Sequence, residues 1–187
     1  MYYKLETDIY QDYGIIEDPV LPDGVYFNRG TVIDAELELP LKFETNCDDE
    51  NPPLEYMAGV APVCSKLMLD ALQAAGIDNI QTFPAILTTY ANETVWDGYF
   101  ALNIIGKVSA ADMEKSKFVS IGEWPGGTPF AGFQNLVIDK NKTHDLYLFR
   151  LAECPSEIII HKDIIDKLLS APPPKGWGIV AFELEQT

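Results

Sequence analysis

The stretch from Ser65 to Gly76 constrains the fold of this 187-residue chain most strongly, because it carries a complete helix signal. Its apolar residues recur at the three- and four-residue spacing of one helix face: Leu67, Met68, Ala71, Leu72 and Ala75. Ser65 is a residue type that caps a helix at its N-terminus, and Gly76 stands where a left-handed C-cap forms. A helix with one apolar face needs a second element to cover that face, so the chain has to fold around this segment.

A second amphipathic helix is predicted near the C-terminus. The run Ile158-Ile159-Ile160 predicts a short buried strand, and the helix that follows it is ended by Pro172-Pro173-Pro174. The apolar face of this helix comprises Ile164, Ile165, Leu168 and Leu169. The order of apolar lead-in, helix, stop and apolar strand therefore occurs twice, over residues 60–87 and over residues 158–184. We interpret the repeat as two βαβ-like or αβ units within one α+β domain.

The remaining apolar stretches predict strands. Residues 35–39 alternate strictly between apolar and polar residues, as a half-buried strand does. Residues 83–87 predict a strand whose Pro84 indicates a sheet edge or a strand start, and residues 99–106 predict a central strand. Residues 122–132 are rich in glycine and proline and predict an open loop. The expected fold class is α+β, with a mixed, mostly antiparallel sheet and two main amphipathic helices.

The chain is strongly acidic, and its charge is unevenly distributed. It has 29 Asp and Glu against 13 Lys and Arg, so its formal net charge is -16. Residues 1–60 hold 14 acidic and 3 basic residues, a net charge of -11. Residues 61–187 hold 15 acidic and 10 basic residues, a net charge of -5. We therefore divide the chain into an acidic strand-and-turn N-terminal segment, residues 1–60, packed on an α+β main domain, residues 61–187.

The net charge indicates which partners to expect, and the N-terminal residues, the apolar runs and the cysteines indicate the compartment. Nucleic acid and anionic membrane are excluded as natural partners because an acidic surface repels both. A basic protein partner is permitted, and so is a charge that serves only solubility. No secretory signal is visible, no apolar run approaches the ~18 residues that cross a bilayer, and the three widely spaced cysteines do not resemble a disulfide framework. We expect a cytoplasmic protein, and the sequence leaves its oligomeric state open.

No motif predicts a catalytic, cofactor-binding or metal-binding residue. The two histidines, His144 and His161, and Cys154 lack the spacing of a compact zinc site. Cys64 directly precedes the first helix, where the helix dipole would favour a thiolate, but its apolar neighbours favour a buried thiol. We therefore expect a protein that is not an enzyme and uses no cofactor. The alternative is a small enzyme whose site brings Asp, His and Cys together only in three dimensions.

Two groups of side chains are candidates for contact with a protein partner. One lies in the proline-containing loop of residues 47–55 and comprises Asp48, Asp49, Glu50 and Glu55. The other consists of tryptophans beside Gly, Pro or acidic residues and outside the clear apolar faces: Trp96, Trp124 and Trp177. Exposed tryptophans anchor protein interfaces. We predict partner binding by the four acids with Trp96 and Trp124; the alternative for each tryptophan is burial by its own loop.

Several blocks after residue 60 resemble those of a known bacterial family. They are residues 61–81, Asn103-Ile104-Ile105-Gly106, Leu136-Val137-Ile138-Asp139, Leu148-Phe149-Arg150-Leu151 and Ile158-Ile159-Ile160-His161. Their order resembles polymorphic-toxin immunity family eleven, formerly a domain of unknown function. The resemblance covers roughly two-thirds of the chain, and residues 1–60 match it only loosely.

The resemblance implies a cytoplasmic bacterial protein that binds and neutralises a cognate secreted toxin and has no catalytic residues. Opposite charges speed such an association through electrostatic steering, and buried aromatic anchors slow dissociation. A toxin that acts on nucleic acid is commonly basic, so an acidic, antitoxin-like protein could cover its site by mimicking the substrate. The favoured hypothesis is neutralisation of a basic nuclease.

Overall fold

The computed structural model describes residues 1–8, 13–90 and 94–187. The strands are β1 (Tyr2–Thr7), β2 (Ile15–Glu17), β3 (Leu41–Thr45), β4 (Tyr56–Met57), β5 (Val63–Ser65), β6 (Ile80–Thr89), β7 (Val95–Ile104), β8 (Lys107–Val108), β9 (Lys117–Glu123), β10 (Pro129–Asn135), β11 (Val137–Ile138), β12 (Leu148–Leu151), β13 (Ile158–His161), β14 (Ile179–Glu183) and β15 (Glu185–Gln186). The helices are α1 (Lys66–Ala75), α2 (Lys162–Ser170) and a short 3₁₀ helix (Lys140–Lys142). Together they confirm the predicted α+β class.

Two sheets carry the fold. Among the described residues, one sheet has the strand order β14-β1-β13-β12-β8, and the other has the order β2-β3-β6-β7-β5-β4. Neighbouring strands are antiparallel except in the pairs β12–β8 and β3–β6. Two smaller ladders join β9 to β10 in antiparallel and β11 to β15 in parallel. The predicted mixed, mostly antiparallel pairing is therefore confirmed.

Both predicted helices form where the caps and stops place them. The Ser65 hydroxyl accepts a hydrogen bond from the Met68 N–H at 3.1 Å, and Gly76 has the left-handed φ of 105° that suits a residue without a Cβ. In α2 the ring of His161 caps the helix by accepting from the Asp163 N–H. The apolar faces are slightly rotated from the prediction, because Leu67 and Leu169 are exposed.

The repeated sequence pattern corresponds to a repeated structural unit. Strands β5 and β6 both run antiparallel to β7, so they are parallel to each other and α1 connects them. Strands β13 and β14 are likewise both antiparallel to β1, and α2 connects them. Each unit is thus a βαβ unit with one antiparallel strand inserted between its two parallel strands. The interpretation of the repeat as two βαβ-like units agrees with this topology.

The central core lies between the two sheets, where α1 and α2 pack on each other. Smaller apolar clusters cover the opposite face of each sheet. In β13, for example, Ile158 and Ile160 belong to the central core, whereas Ile159 belongs to an outer cluster. Because both faces of this strand are covered, its sequence is a continuous apolar run without alternation.

The acidic N-terminal segment contributes strands to both sheets. Strand β1 lies between β13 and β14, and Leu5 on β1 belongs to the central core. Strand β3 lies between β2 and β6, and Phe43 on β3 is fully buried in an outer cluster. Residues 9–12 of this segment lie outside the described residues. The N-terminal segment and residues 61–187 therefore share their sheets and their cores.

Two strand and loop predictions are wrong. Residues 35–39 form no strand, because the ladder with β6 begins only at Leu41, and alternation without a hydrogen-bonded neighbour does not make a strand. Residues 122–132 are not an open loop, because they span the end of β9, a turn and most of β10. Gly126 and Gly127 lie in the turn, whereas Gly122 and Gly132 lie in β9 and β10. Pro84 lies within an interior strand, but its missing N–H falls just before the β3 ladder, which starts at Ala85.

Candidate partner-binding surfaces

Among the four acidic candidates, Asp48 organises its own loop. Its Oδ1 accepts hydrogen bonds from the backbone N–H of Glu50 at 2.9 Å and of Asn51 at 2.7 Å. The side-chain amide of Asn51 donates to the same oxygen at 3.1 Å. An aspartate that bonds to the backbone two and three residues ahead fixes a turn. Replacing Asp48 would therefore disturb the loop conformation as well as remove a charge.

Glu55 supports the start of α1. Its backbone carbonyl accepts from the Ser65 N–H at 2.9 Å, and its carboxylate accepts from the Ser65 hydroxyl. Ser65 is the N-cap of α1, so Glu55 holds the capping hydroxyl in place. The half-buried carboxylate of Glu55 is therefore committed to the fold.

Asp49 and Glu50 are the candidates from this loop that are free to meet a partner. Both are exposed, and their carboxylates make no hydrogen bond or ion pair within residues 1–8, 13–90 and 94–187. An exposed, unpaired charge stays hydrated in the free protein. Its electrostatic field extends over about one Debye length, ~8 Å at physiological salt. These two side chains therefore suit long-range attraction.

A second acidic surface, which we call the acidic groove, lies along β2 and β3. It is a cavity of about 300 Å³, and its wall contains Glu17, Asp18, Glu38 and Glu44 with Lys42 as a basic residue. Desolvation and a hydrogen bond shared with Glu17 raise the pKa of the Glu44 carboxyl. The sequence prediction missed this groove because its acids come from two separate stretches of the chain, residues 17–18 and 38–44, brought together by the β2–β3 ladder.

Trp96 lies in β7 opposite Leu87 of β6 and is half-buried. It packs against the outer apolar cluster that contains Phe43 and Leu87. Part of its ring is thus already used in the fold. Trp177 is buried, and its Nε1–H donates to the carbonyl of Leu168 in α2 at 2.7 Å, so this tryptophan is a core residue.

Trp124 occupies the turn between β9 and β10. We call these two strands and their turn, residues 117–135, the exposed hairpin. The Trp124 ring lies 4.6 Å from that of Phe130, centroid to centroid, and the Trp124 backbone N–H donates to Thr128 at 2.8 Å. Phe118 and Phe133 form a second aromatic pair, at 6.0 Å, across the same two strands. These aromatic pairs hold the two strands together. Gly126 and Gly127 in the turn supply the positive φ that a tight hairpin turn needs.

The exposed hairpin presents apolar side chains to solvent. Every residue of β9 is exposed, and Val119 and Ile121 are each 58% exposed. Strand β9 hydrogen-bonds to β10 on one edge, and no ladder occupies its other edge among the described residues. An exposed, apolar edge strand is a surface that readily pairs with another chain. Sequence reasoning missed the hairpin, although the cluster of β-favouring apolar residues Phe118, Val119 and Ile121 was a usable strand signal.

The groups proposed for an enzyme site do not converge in the structure. Cys64 is fully buried, and desolvation with the nearby Glu55 charge raises the pKa of its thiol to about 12, which disfavours a thiolate. His161 caps α2, while His144 is exposed in a turn. In the described ranges, no three His, Cys, Asp or Glu side chains are grouped as a metal site would require. Neither α-helix of the described chain is long and apolar enough to cross a membrane.

Comparison with known proteins identifies one family. The model of the Immunity protein family (Imm11) matches residues 38–183, which is most of the chain. The matched region includes both βαβ units apart from the inserted strand β1, and also the exposed hairpin and the loop of residues 47–55. A comparison with curated proteins gives no match.

Proposed function

Since this chain belongs to the Immunity protein family (Imm11), we propose that it binds one cognate protein toxin and neutralises it in the cytoplasm of the cell that makes both. The family match over residues 38–183 is the observation that carries this proposal. Neutralisation by binding needs only a surface complementary to the toxin and no catalytic group. This agrees with the structural roles of Cys64, which is buried, and of His161, which caps α2.

We propose further that the toxin is basic and is a nuclease. The net charge of -16 and the acidic groove favour a partner with a positive surface. A nuclease site is built to attract phosphate, so a protein that presents carboxylates can occupy it in place of the substrate. Asp49 and Glu50, being exposed and unpaired, would attract the toxin before contact.

The exposed hairpin would supply the apolar part of the interface. Val119 and Ile121 on β9 present apolar surface, and Trp124 in the turn of the same hairpin is of the residue type most enriched at the energetic centre of interfaces. Steering by the acidic residues would then set the association rate, and burial of the hairpin would set the dissociation rate.

Co-expression tests the proposal. The protein encoded beside this gene is expressed in bacteria with and without the chain, and growth is measured. We expect the neighbouring protein to arrest growth alone and the chain to restore it. A charge-preserving hairpin variant, V119S/I121S, should weaken the rescue, whereas a serine replacement of exposed Leu67 on α1 should not. Loss of growth that the chain does not reverse contradicts the proposal.

A second measurement separates the nuclease hypothesis from neutralisation in general. The purified toxin is incubated with DNA and RNA, and the chain is added in steps. We expect cleavage to stop at an equimolar ratio of the two proteins. A toxin that arrests growth but leaves nucleic acid intact would retain the neutralisation proposal and overturn the nuclease part.

A further inference from the structure

A surface cavity beside the exposed hairpin stands apart from the acidic character of the chain. It has a volume of about 690 Å³, within the range of small-molecule sites in proteins. Its wall comprises Tyr26, Asn28, Arg29, Thr31, Lys107, Trp124, Pro125 and Pro155. Rings and prolines make up half of these residues, and the charged ones are Arg29 and Lys107. We call it the cationic cavity.

The backbone brings the two cations to the same wall. Gly30 is buried with a left-handed φ of 71°, and its carbonyl accepts from the Gly106 N–H at 2.8 Å. A Cβ at position 30 would lie 2.7 Å from the Cβ of Lys107, closer than real atoms approach. The turn that carries Arg29 is therefore pressed directly against the start of β8, and only glycine permits that approach.

Arg29 and Lys107 are unpaired cations within the described parts of the chain, because neither forms an ion pair there. Among the residues that the structure describes, the wall of the cationic cavity contains no carboxylate, whereas four other surface cavities each contain at least two. Two cations in the wall of one cavity create a region of positive potential on an otherwise acidic protein. An anion from outside would be attracted to that region.

Aromatic rings flank the two cations. The Arg29 guanidinium lies over the ring of Tyr26, 4.4 Å from its centroid, and the Lys107 ammonium lies 5.9 Å from that of Trp124. Stacking on a ring holds a guanidinium flat and leaves its N–H groups free at the edge, where they can bond to a carboxylate or phosphate in pairs. The Nε1–H of Trp124 is buried and has no acceptor among the described residues. It is a further donor without a partner.

We propose that the cationic cavity binds an anion attached to an aromatic ring, either an aromatic carboxylate or an aryl phosphate. Arg29 and Lys107 bind the anionic group, and the ring rests against the apolar wall formed by Trp124, Pro125 and Pro155. This proposal does not rest on toxin neutralisation, because the anion is expected to bind the protein without a partner; Trp124, however, belongs both to the cavity wall and to the exposed hairpin proposed to contact the toxin. Its cations and aromatic rings come from separate stretches of the chain, so no single sequence motif predicts the site.

Small probes test the binding directly. Phenyl phosphate and benzoate are titrated into the intact protein, with benzamide as the neutral analogue and inorganic phosphate as the anion without a ring. Binding is followed by tryptophan fluorescence and by calorimetry. We expect saturation in the millimolar range for at least one ring-bearing anion, and at least tenfold weaker binding of the amide and of inorganic phosphate. The preferred anion distinguishes a carboxylate ligand from a phosphate ligand.

Paired variants complete the test. R29Q/K107Q should weaken binding of the preferred anion at least tenfold, whereas K140Q/K142Q removes the same charge from residues that do not line the cavity and should leave binding unchanged. W124F should remove most of the fluorescence change, because Trp96 and Trp177 lie in other parts of the fold. Thermal melts confirm that each variant is folded. The proposal is overturned if neither ring-bearing anion saturates, if the amide binds equally well, or if R29Q/K107Q binds like the natural protein.

Discussion

Glu55 and Ser65 are joined twice, once through their backbones and once through their side chains. The Ser65 hydroxyl also accepts from the Met68 N–H, so a carboxylate in the acidic loop fixes the N-cap of α1. This contact ties the most acidic stretch of the sequence to the helix that most strongly directs the fold. It also divides the acidic candidates into those that hold the fold together and those that remain free.

The first prediction concerns this cap. S65A removes the hydroxyl that accepts from Met68 and leaves Glu55 without its donor, so we expect a loss of about 1–2 kcal/mol in the free energy of unfolding. Urea unfolding followed by circular dichroism measures it. S120A, on exposed β9, should change the free energy by less than about 0.5 kcal/mol. Equal effects of the two substitutions would show that the cap contributes nothing.

The second prediction separates steering from folding. D49K/E50K should leave the free energy of unfolding within about 0.5 kcal/mol of the natural protein, because both side chains are exposed and unpaired. It should slow association with a basic toxin and flatten the dependence of the rate on salt. Stopped-flow mixing at several salt concentrations measures both effects. D78K/E114K makes the same charge change outside the N-terminal segment and serves as the control; if it slows association equally, only net charge matters.

The third prediction concerns the contact between the acidic loop and the C-terminal strand. Gly178 has a φ of 71°, and a Cβ there would lie 2.7 Å from the Cβ of Leu54. G178A should therefore destabilise the fold by about 1–3 kcal/mol more than G24A, which has a similar φ but nothing within 4 Å of its Cβ. Urea unfolding of both variants isolates the steric part. Equal losses would mean that Leu54 moves aside freely.

The fourth prediction follows from the N-cap of α2. Burial, aided by the positive amino group of Met1, lowers the pKa of His161 below its ordinary 6.5 despite the opposing charge of Asp163. Only the neutral ring can accept from the Asp163 N–H. The unfolded chain takes up the proton first, so this contribution to stability is present above pH 6.5 and is lost as the pH falls.

H161N tests this because asparagine caps helices without titrating in that range. The substitution also removes the packing of His161 against the rings of Tyr2 and Tyr147, and this loss of stability is the same at every pH. We expect the natural protein to lose more stability than H161N between about pH 7 and pH 5. Unfolding free energies measured across that range give the two curves, and parallel curves would contradict the assignment.

The fifth prediction concerns Glu153, whose ionisation lowers the stability of the fold as the pH rises rather than as it falls. Glu153 is buried, its carboxylate accepts from the Ser109 hydroxyl, and desolvation nevertheless raises its pKa above the ordinary 4.5. The unfolded chain ionises first, so the natural protein loses stability as the pH rises from 4.5 through the folded pKa. E153Q carries no such charge, and its stability relative to the natural protein should rise over that interval. Unfolding at a series of pH values measures the difference, with exposed E114Q as the control. A pH-independent difference would exclude the charge as the cause.

The helices were predictable because their signals are local. Ser65, Gly76 and the apolar face between them lie within twelve consecutive residues, and each acts on the backbone nearby. The buried strand of residues 158–160 was predictable for the same reason, since a run of isoleucines needs cover on both faces. Residues 35–39 failed because alternation describes a face, whereas a strand needs a neighbour that only the whole fold provides.

The candidate surfaces were less predictable because exposure and partnership depend on distant residues. Trp177 looked like a loop tryptophan, but α2 offers it an acceptor and buries it. Glu55 looked like a free charge until Ser65, ten residues later, was found to hold it. The acidic groove and the cationic cavity join side chains from separate stretches, so no window of the sequence contains either one.

The sequence by itself determined the fold class, the two amphipathic helices, the acidic balance and the family, because composition, periodicity and the order of blocks are properties of the chain. The tertiary structure alone decided how the acidic segment enters both sheets, which charges stay free, and that Arg29 and Lys107 line the same cavity. Those outcomes depend on strand pairing and on close packing such as that of Gly30 on β8. Pairing and packing are set by contacts between residues far apart in sequence, and local patterns do not encode them.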